Sequence, residues 1–381
     1  MPRYEIRASH PGDEAELLAV ARHLNTVNLP HDHAAIVETV ALSDQSFRGA
    51  LASPLDARYL FVLVDREASR IIGTSMIIAQ LGQRGAPYIF LDVLDEEKYA
   101  GTLDLHFHHT LLRIGYSYNG PTEIGGLVLS PDYRRVPERL GLMLSYVRFL
   151  FMAMHRDRFR DEVLAELLPP LEPDGTSHLW EALGRRFTGM SYVEADLLSK
   201  SNKEFIKGLF PREVMYATLM SPDAQAVIGK VGAQTKGVEK MLRRIGFRYA
   251  YRVDPFDGGP HFTAPMDEIT LVAHTRRLSA RAPLSPARED VHALVAVESP
   301  LPPFFRAVRA AVRDAPDGVL VEEAAWQHLG LAPGDGVAVL GLDERHEAQR
   351  ERAAGEHPDG AGHLADGQRH SSAGSDRSSR S

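Results

Sequence analysis

The sequence predicts a mixed α/β protein in which helices flank a central sheet, and residues 123–156 are the main reason. Residues 123–129 (EIGGLVL) form a short apolar run between two proline-containing turns, which is typical of a buried strand. Residues 142–154 are apolar on nearly every side, with Arg148 as the single charge, and such a helix belongs inside a core. A basic loop and Gly141 join the two segments, so the predicted unit is strand, loop and helix.

The loop of this unit has the composition of an anion-binding site. Arg134, Arg135 and Arg139 add fixed positive charge, and Gly141 lets a ligand approach the backbone closely. The first N–H groups of the helix that follows are unpaired and suit a phosphate. The loop has neither the GxxxxGK[ST] nor the GxGxxG motif. An α/β unit without a ligand has the same order of elements, so both interpretations stay open.

Shorter segments on both sides extend the α/β pattern. Apolar runs at 59–64 and 70–80 predict an antiparallel hairpin, in which Gly73 indicates a bulge or a close backbone approach. Residues 162–168 predict a further strand or the end of a helix. The other predicted segments are strands at 4–7, 86–93 and 247–253, and helices at 17–21, 34–51, 179–187, 190–198, 205–209, 224–228 and 237–245.

Changes in composition predict three parts of the chain. Residues 1–275 carry the α/β pattern, and residues 277–290, which are rich in Ala, Pro and Arg, are typical of a connector. Short apolar segments within 276–343 predict a small β-rich C-terminal module. Residues 344–381 have almost no apolar side chain and cannot bury enough surface to fold, so we expect a disordered tail.

Charge and cysteine content exclude several classes of function. The net charge of −8 over 381 residues argues against general nucleic-acid binding, which needs a basic face. The absence of cysteine excludes disulfides, thiolate metal sites and cysteine nucleophiles. The chain has no N-terminal apolar signal core and no apolar run long enough to span a membrane. We therefore expect a soluble, cytoplasmic protein without a membrane partner.

A cluster of histidines at 106–109 (HFHH) is the one candidate metal site in the sequence. Imidazole is a common metal ligand, but no acid or cysteine accompanies His106, His108 and His109 at a suitable spacing. We therefore expect no metal, and we interpret residues 97–119 as a polar loop or a substrate-facing surface.

The order of elements in the N-terminal half resembles the acyl-CoA N-acyltransferases of the GNAT superfamily, and a set of strings narrows the resemblance. In their order and spacing they are similar to arginine N-succinyltransferase, over residues 3–343. The strings are NLP (28–30), SPDYR (130–134), LSYVRFLF (144–151), AE (165–166), WEALGRRF (180–187), EAD (194–196), AQAVIGKV (224–231) and VDPFDGGP (253–260). A further string, VEKMLRRIGF (238–247), resembles the last helix of the GNAT superfamily and its Gly-Phe entry to the next strand.

The resemblance implies a GNAT-like mixed sheet and an enzyme of arginine breakdown. Such an enzyme transfers succinyl from succinyl-CoA to the α-amino group of L-arginine, with succinyl-CoA as co-substrate and no prosthetic group. The family's acyl-CoA contact falls on Leu127, whose backbone would bind the pantetheine amides as an added strand does. Arg135, Arg139 and Gly141 complete the predicted cofactor-binding residues. The resemblance also implies a homo- or hetero-oligomer.

The chain departs from the family at the position of the proton-donating histidine. The family's IGxVH string corresponds here to residues 228–232, which end in Gly232. Two alternatives therefore accompany the arginine N-succinyltransferase hypothesis. One is a non-catalytic relative that binds acyl-CoA, and the other is an N-acyltransferase with a different acyl donor or amine.

Transfer to an amine needs a group that takes the amine's proton, but it needs no covalent enzyme intermediate. A carboxylate that a cleft buries at a strand end has a raised pKa and suits this role, so Glu166 is our first candidate for the catalytic base. The other candidates are Glu123, Asp196, His178 and His261. Each carboxylate also fits a purely structural hydrogen-bonding role, and each histidine also fits a surface position.

Overall fold

One mixed sheet of fifteen strands runs through the part of the protein that the computed structural model describes, which is residues 1–22, 30–83, 86–172, 175–199 and 202–342. Its strands are β1 (Tyr4–Ala8), β2 (Arg58–Asp65), β3 (Arg70–Ile78), β4 (Tyr88–Ala100), β5 (Leu105–Ser117), β6 (Thr122–Leu129), β7 (Glu162–Glu166), β8 (Met215–Tyr216), β9 (Arg248–Val253), β10 (Pro260–Pro265), β11 (Arg276–Leu284), β12 (Val291–Glu298), β13 (Phe305–Ala315), β14 (Gly318–Glu322) and β15 (Gly336–Gly341).

Eleven α-helices accompany these strands within the described residues. They are α1 (Glu14–Ala21), α2 (His33–Arg48), α3 (Leu140–Met154), α4 (His178–Ala182), α5 (Gly184–Thr188), α6 (Tyr192–Ser199), α7 (Glu204–Leu209), α8 (Pro222–Val227), α9 (Lys236–Arg244), α10 (Thr270–His274) and α11 (Glu323–Leu329). In the described residues, no helix combines the length and the apolar character needed to cross a membrane.

The order of strands across the sheet is β12-β15-β11-β14-β13-β1-β2-β3-β6-β7-β10-β9-β4-β5-β8. Neighbours are antiparallel except β6–β7 and β11–β14. Because β12 also pairs with β13, the five C-terminal strands close on themselves around a small apolar core of their own. β13 in turn pairs with β1, so this ring continues the sheet of the N-terminal region.

The main core lies between the sheet and α3. Nearly every side chain of α3 is buried, as the apolar sequence of this helix predicts. An aromatic cluster at its centre joins α2, β2, α3 and β13 through ring contacts of Phe47, Phe61, Phe151 and Phe305. The predicted strand–loop–helix unit is therefore confirmed, and its helix supports the middle of the sheet.

The predicted hairpin of β2 and β3 is also confirmed, with its irregularity at Gly73. The pairing of the two strands shifts register there. A Cβ atom added to Gly73 would lie 2.7 Å from the carbonyl oxygen of Val128 on β6. Glycine is required at this position because the neighbouring backbone approaches so closely.

The interpretation of residues 97–119 as a polar loop is wrong, because most of them belong to β4 and β5. These strands pair residue by residue, from Tyr88↔Ser117 to Ala100↔Leu105. The outer half of the hairpin is exposed on both faces, so polar side chains occupy consecutive positions. The alternation that marks a half-buried strand is therefore missing from the sequence.

Two further predictions differ from the structure. The connector predicted at 277–290 contains most of β11, whose inward Leu278, Ala280 and Leu284 alternate with exposed arginines. The small residues of this strand, Ser279, Ala280 and Ala282, and the neighbouring Pro283 concealed this alternation. The single helix predicted at 179–187 is two short helices, α4 and α5, which meet at Leu183.

The predicted domain boundary between residues 275 and 276 stays a prediction. The described residues cluster into one compact unit, Met1–Leu342. The predicted disordered tail, residues 344–381, lies outside the described residues, as do the first two residues of the NLP string.

We expect Phe305→Ala to lower the free energy of unfolding by about 3–5 kcal/mol, because the ring is fully buried in the shared aromatic cluster. Urea unfolding of single-tryptophan variants gives the measurement, since Trp180 and Trp326 report on either side of the predicted boundary. Both probes should show the same lowered midpoint. Leu301→Ala, at a position that is 70% exposed, is the control. If only the midpoint reported by Trp326 were lowered, the C-terminal strands would unfold independently of the rest.

Candidate active site

A fork between β6 and β7 is the main irregularity at the centre of the sheet. These parallel neighbours pair only at Thr122↔Val163 and Glu123↔Leu164, and beyond those residues the two strands diverge. β6 continues along β3 on its other side, and β7 continues along β10. The facing edges of β6 and β7 therefore leave backbone groups for a ligand that can add itself as a strand does.

A bulge in β6 lies directly beyond the fork. The β3–β6 ladder pairs Thr74 with Val128 and Met76 with Gly125, so Gly126 and Leu127 together face a single residue of β3. Gly126 has a φ of 57°, and its carbonyl oxygen accepts a hydrogen bond of 2.9 Å from the Thr74 hydroxyl. The Leu127 side chain packs against the main core. Its structural and ligand-binding roles are therefore compatible, because a ligand contact would use only its backbone.

The basic loop follows β6 and leads to α3. Arg135 and Arg139 are exposed, whereas the Arg134 Nε atom donates to the Leu129 carbonyl oxygen at 3.0 Å and holds the loop. Arg139 has a φ of 56° immediately before α3, which is uncommon for a residue other than glycine. A Cβ atom on Gly141 would be 3.7 Å from the nearest neighbouring atom, an ordinary contact. Packing within the protein therefore does not require glycine at position 141. The close approach of a ligand remains a possible reason for glycine there.

Carboxylates gather on the β7 side of the fork. The Glu166 side chain, at the end of β7, is 35% exposed and is therefore accessible to a ligand. The surrounding protein nevertheless raises the pKa of Glu166 well above its usual range by burial, and the nearby charges of Glu123 and Asp254 raise it further. Burial also raises the pKa of Asp254 to about 6 and the pKa of Asp257 well above its usual range. Asp196 adds negative charge near both aspartates.

The two aspartates are held by the turn that follows β9. An Asp254 oxygen accepts from the backbone N–H of Phe256 at 2.7 Å, and an Asp257 oxygen accepts from that of Gly259 at 2.7 Å. These hydrogen bonds fix the turn, and they keep two acidic groups beside Glu166. The carboxylates of Glu166, Asp196, Asp254 and Asp257 therefore form an acidic cluster. The positive charge of Lys203 acts on both Glu166 and Asp254.

His261 lies on β10 directly opposite Glu166 on β7, and it is fully buried. Its Nδ1 atom is 2.7 Å from the hydroxyl oxygen of Tyr88. Its Nε2 atom is 3.4 Å from a Glu166 oxygen and makes no hydrogen bond within the described residues. Burial, with the nearby positive charges of Arg252 and Lys203, lowers the pKa of His261 to about 3, so its ring is neutral at physiological pH.

The side chains around Glu166 and His261 could hold a cation. One ligand atom each from Glu166, Asp254 and His261 lie within 4.8 Å of one another. Imidazole with carboxylates is a ligand set that several divalent metals accept. Our expectation of no metal stays a prediction.

The remaining candidates lie elsewhere. His178 contacts the exposed Glu172, with 2.7 Å between Nε2 and a carboxylate oxygen. On the β4–β5 hairpin, His106 contacts Glu97, an acid whose position the sequence spacing did not reveal. Of the predicted groups, the structure therefore brings Glu166, Glu123 and His261 together, with Asp196 nearby.

Three residues around Glu166 and His261 were not among the predicted site residues: Tyr88, Asp254 and Asp257. The two aspartates lie within the VDPFDGGP string, so the sequence offered a signal for them. Tyr88 begins a long hairpin strand and has no comparable signal.

Comparison with known proteins identifies the family. Residues 4–271 match the family model for the arginine N-succinyltransferase beta subunit. The chain belongs to the arginine N-succinyltransferase family. The resemblance inferred from the residue strings is thereby confirmed.

Individual members of the arginine N-succinyltransferase family support the same assignment. Arginine N-succinyltransferase of Enterobacter sp. (strain 638) is 33% identical over 281 residues, which are 71% of this chain and 78% of the relative. The enzyme of the same name from Escherichia coli O139:H28 is 31% identical over 348 residues, 88% of this chain and 97% of the relative. Arginine/ornithine succinyltransferase subunit AI from Pseudomonas aeruginosa shares the fold, with a TM-score of 0.76, 24% identity, and coverage of 90% of this chain and 100% of its own.

In this member of the arginine N-succinyltransferase family, backbone fills the space beside position 232. A Cβ atom on Gly232 would lie 2.6 Å from the Pro169 carbonyl oxygen and 2.9 Å from that of Leu168. The Gly232 N–H donates to the Leu168 oxygen at 2.8 Å, and the Thr235 hydroxyl donates to the same oxygen at 3.0 Å. The LLPP segment after Glu166 therefore occupies the place that a side chain at 232 would need.

We expect Gly232→His to lower the free energy of unfolding by about 1–3 kcal/mol, because the imidazole must displace the backbone at 168–169. We also expect no gain in acyl transfer. Urea unfolding and a thiol-release assay measure the two effects. Gly237→His is the matched control, since nothing lies within 4 Å of a Cβ atom at that position. Unchanged stability together with faster transfer would show that the segment moves aside and that the site at 232 is intact.

Proposed function

We propose that this protein transfers the succinyl group of succinyl-CoA to the α-amino group of L-arginine. The observation that carries the proposal is the cluster of carboxylates with raised pKa beside the fork of β6 and β7. A basic loop lies at the end of β6, and the acidic cluster around Glu166 lies at the end of β7. The two regions suit an acyl-CoA and a cationic amine, respectively.

The proposed donor site uses the fork, the bulge and the basic loop. The pantetheine amides pair with the β6 backbone around Leu127, as an added strand would. The diphosphate lies on the first amides of α3 near Gly141, and Arg135 and Arg139 add charge. This use of a split pair of parallel strands is the GNAT-like feature that we propose for the sheet.

The proposed acceptor site uses the acidic cluster around Glu166. Burial raises the pKa values of Glu166, Asp254 and Asp257, and each of them is raised further by a neighbouring carboxylate, so a cation bound there would favour their ionised forms. L-Arginine carries a guanidinium group that donates paired hydrogen bonds to carboxylates. Its binding would relieve the repulsion among the carboxylates and direct its α-amine towards the fork.

The proposed reaction is direct. The neutral α-amine attacks the thioester carbonyl carbon, a C–N bond forms, the C–S bond breaks, and CoA leaves as a thiolate. The proton released from nitrogen passes to the Glu166 carboxylate, whose raised pKa makes it a better acceptor than an ordinary glutamate. Holding amine and thioester together at the fork supplies a large part of the rate.

Two further points belong to the proposal. An acyl-CoA donor is an intracellular metabolite, so we place the protein in the cytoplasm. We also propose an assembly of more than one subunit, since the Pseudomonas aeruginosa structure is of a subunit.

The test of function is thiol release from succinyl-CoA by the purified protein, with and without L-arginine. We expect release that depends on arginine, and we expect Glu166→Gln to lower kcat by about 10²-fold or more with CoA binding unchanged. Glu162→Gln, an exposed position on the same strand, is the matched control. Binding of CoA without any release would instead identify a non-catalytic relative. Thiol release only with another amine or acyl donor would show that the protein is an N-acyltransferase with a different substrate.

We expect Arg135→Ala combined with Arg139→Ala to weaken CoA binding, and to weaken it more at low salt, where exposed charges are less screened. Isothermal titration calorimetry at two ionic strengths gives the measurement. The exposed Arg288 supplies the control substitution, Arg288→Ala. Equal affinities for the wild type and the double variant would remove the basic loop from the donor site.

A further inference from the structure

We propose that His261, fixed by Tyr88, holds Glu166 as the proton acceptor for the reaction. In this Tyr88–His261–Glu166 series, the buried Tyr88 and His261 support the exposed Glu166, and the three residues together take over the task that the family resemblance assigns to the position of Gly232. The inference deepens the proposed function and rests on it for the catalytic role of Glu166. Glu166 touches the substrate, and His261 and Tyr88 are positioning residues.

The first support is an unused hydrogen-bonding atom. A buried donor or acceptor without a partner is costly, and the great majority of such atoms in proteins are paired. His261 is fully buried, its Nε2 atom makes no hydrogen bond within the described residues, and a Glu166 oxygen lies 3.4 Å away. Catalytic hydrogen bonds are often long without substrate and shorten in the complex. A small movement of Glu166 satisfies the Nε2 atom.

The second support is the tautomer that Tyr88 imposes. The neutral imidazole ring carries one proton. Burial raises the pKa of Tyr88, so its hydroxyl stays protonated, and its oxygen lies 2.7 Å from Nδ1. We assign the hydroxyl as the donor, because the opposite tautomer would leave an unprotonated Nε2 facing the ionised Glu166 carboxylate, with two acceptors 3.4 Å apart. With Nδ1 as the acceptor, the ring proton resides on Nε2, which faces Glu166. The Nε2–H group then donates to the carboxylate.

The third support is the charge around Glu166. The groups that face Glu166 or His261 are Glu123 on β6, Asp254 and Asp257 after β9, Lys203 before α7, Arg252 on β9 and Tyr88 on β4. Burial and the three acids favour protonated Glu166, which could not accept a proton. An N–H donor beside the carboxylate favours the ionised form. An Nε2–H group that donates to Glu166 therefore opposes the rise that burial and the acids cause, and removal of this donor should raise the pKa of Glu166 further.

The experiment compares His261→Leu, His261→Gln and Tyr88→Phe in the full-length protein. Leucine removes the donor, whereas glutamine retains an N–H near the place of Nε2. Tyr88→Phe removes only the hydroxyl that fixes the tautomer. His155→Gln is the matched control, because His155 is another buried histidine whose Nε2 contacts a glutamate, Glu298, at 2.7 Å. Circular dichroism and thermal unfolding verify that each variant is folded.

Two measurements by NMR need no catalytic activity. In the wild type, ¹⁵N shifts of His261 should show a neutral ring protonated at Nε2, and protonation at Nδ1 would overturn the proposal. A ¹³C titration of Glu166 should show its pKa rising by about one unit in His261→Leu, rising less in Tyr88→Phe, and staying near the wild-type value in His261→Gln. An unchanged pKa in folded His261→Leu would also overturn it.

Kinetics then separate this inference from the proposed function. The acidic limb of the kcat–pH profile should move to higher pH in His261→Leu by the shift seen in the titration, with KM for arginine changed less than about twofold. His155→Gln should leave the limb in place. If the wild type releases no thiol, the proposed function fails, and NMR still decides the hydrogen bond. Loss of activity with EDTA and its recovery with Zn²⁺ would overturn the proposal, and would identify Glu166 and His261 as metal ligands instead.

Discussion

The candidate site depends on the separation of β6 from β7 after two residue pairs. Unpaired backbone groups inside a fold are costly, so a sheet keeps such an opening only where other interactions hold it. Here the bulge at Gly126 turns β6, the Thr74 hydroxyl bonds to the bulge, and β3 and β10 pair with the outer sides of the two strands. The fork is thus built into the sheet, and in the proposed function the amides of the acyl-CoA would complete it.

The fork also separates the two kinds of charge. Exposed arginines follow β6, and carboxylates surround the end of β7, although the whole chain is only moderately acidic. Hydrogen bonds of the turn after β9 keep Asp254 and Asp257 in place despite their mutual repulsion. In the proposed function, such an arrangement would orient two substrates of opposite charge. It would thereby lower the entropic cost of bringing amine and thioester together.

Local sequence patterns predicted the elements that bury one continuous apolar face, such as β2, β3, β6 and α3. They predicted the first half of β4, but they failed for residues 97–119 of the β4–β5 hairpin and for β11, since polar or small side chains there conceal the period-2 alternation. Glu166 was predictable from its position at a strand end. The Tyr88–His261 contact was not, because it joins residues 173 positions apart across the sheet. The closed space beside Gly232 depends equally on long-range packing.

In the proposed mechanism, the contact between Gly232 and residues 168–169 leaves the acid–base work to a carboxylate. A histidine base must be both neutral and able to gain a proton near physiological pH. His261 is neutral, but its pKa of about 3 is too low for it to accept a proton itself. The pKa of Glu166 is shifted in the opposite direction, and of these two side chains only that of Glu166 is exposed. In this proposal the imidazole supplies orientation and a hydrogen bond, and the carboxylate takes the proton. The two residues would together provide both properties that a single histidine at 232 would combine.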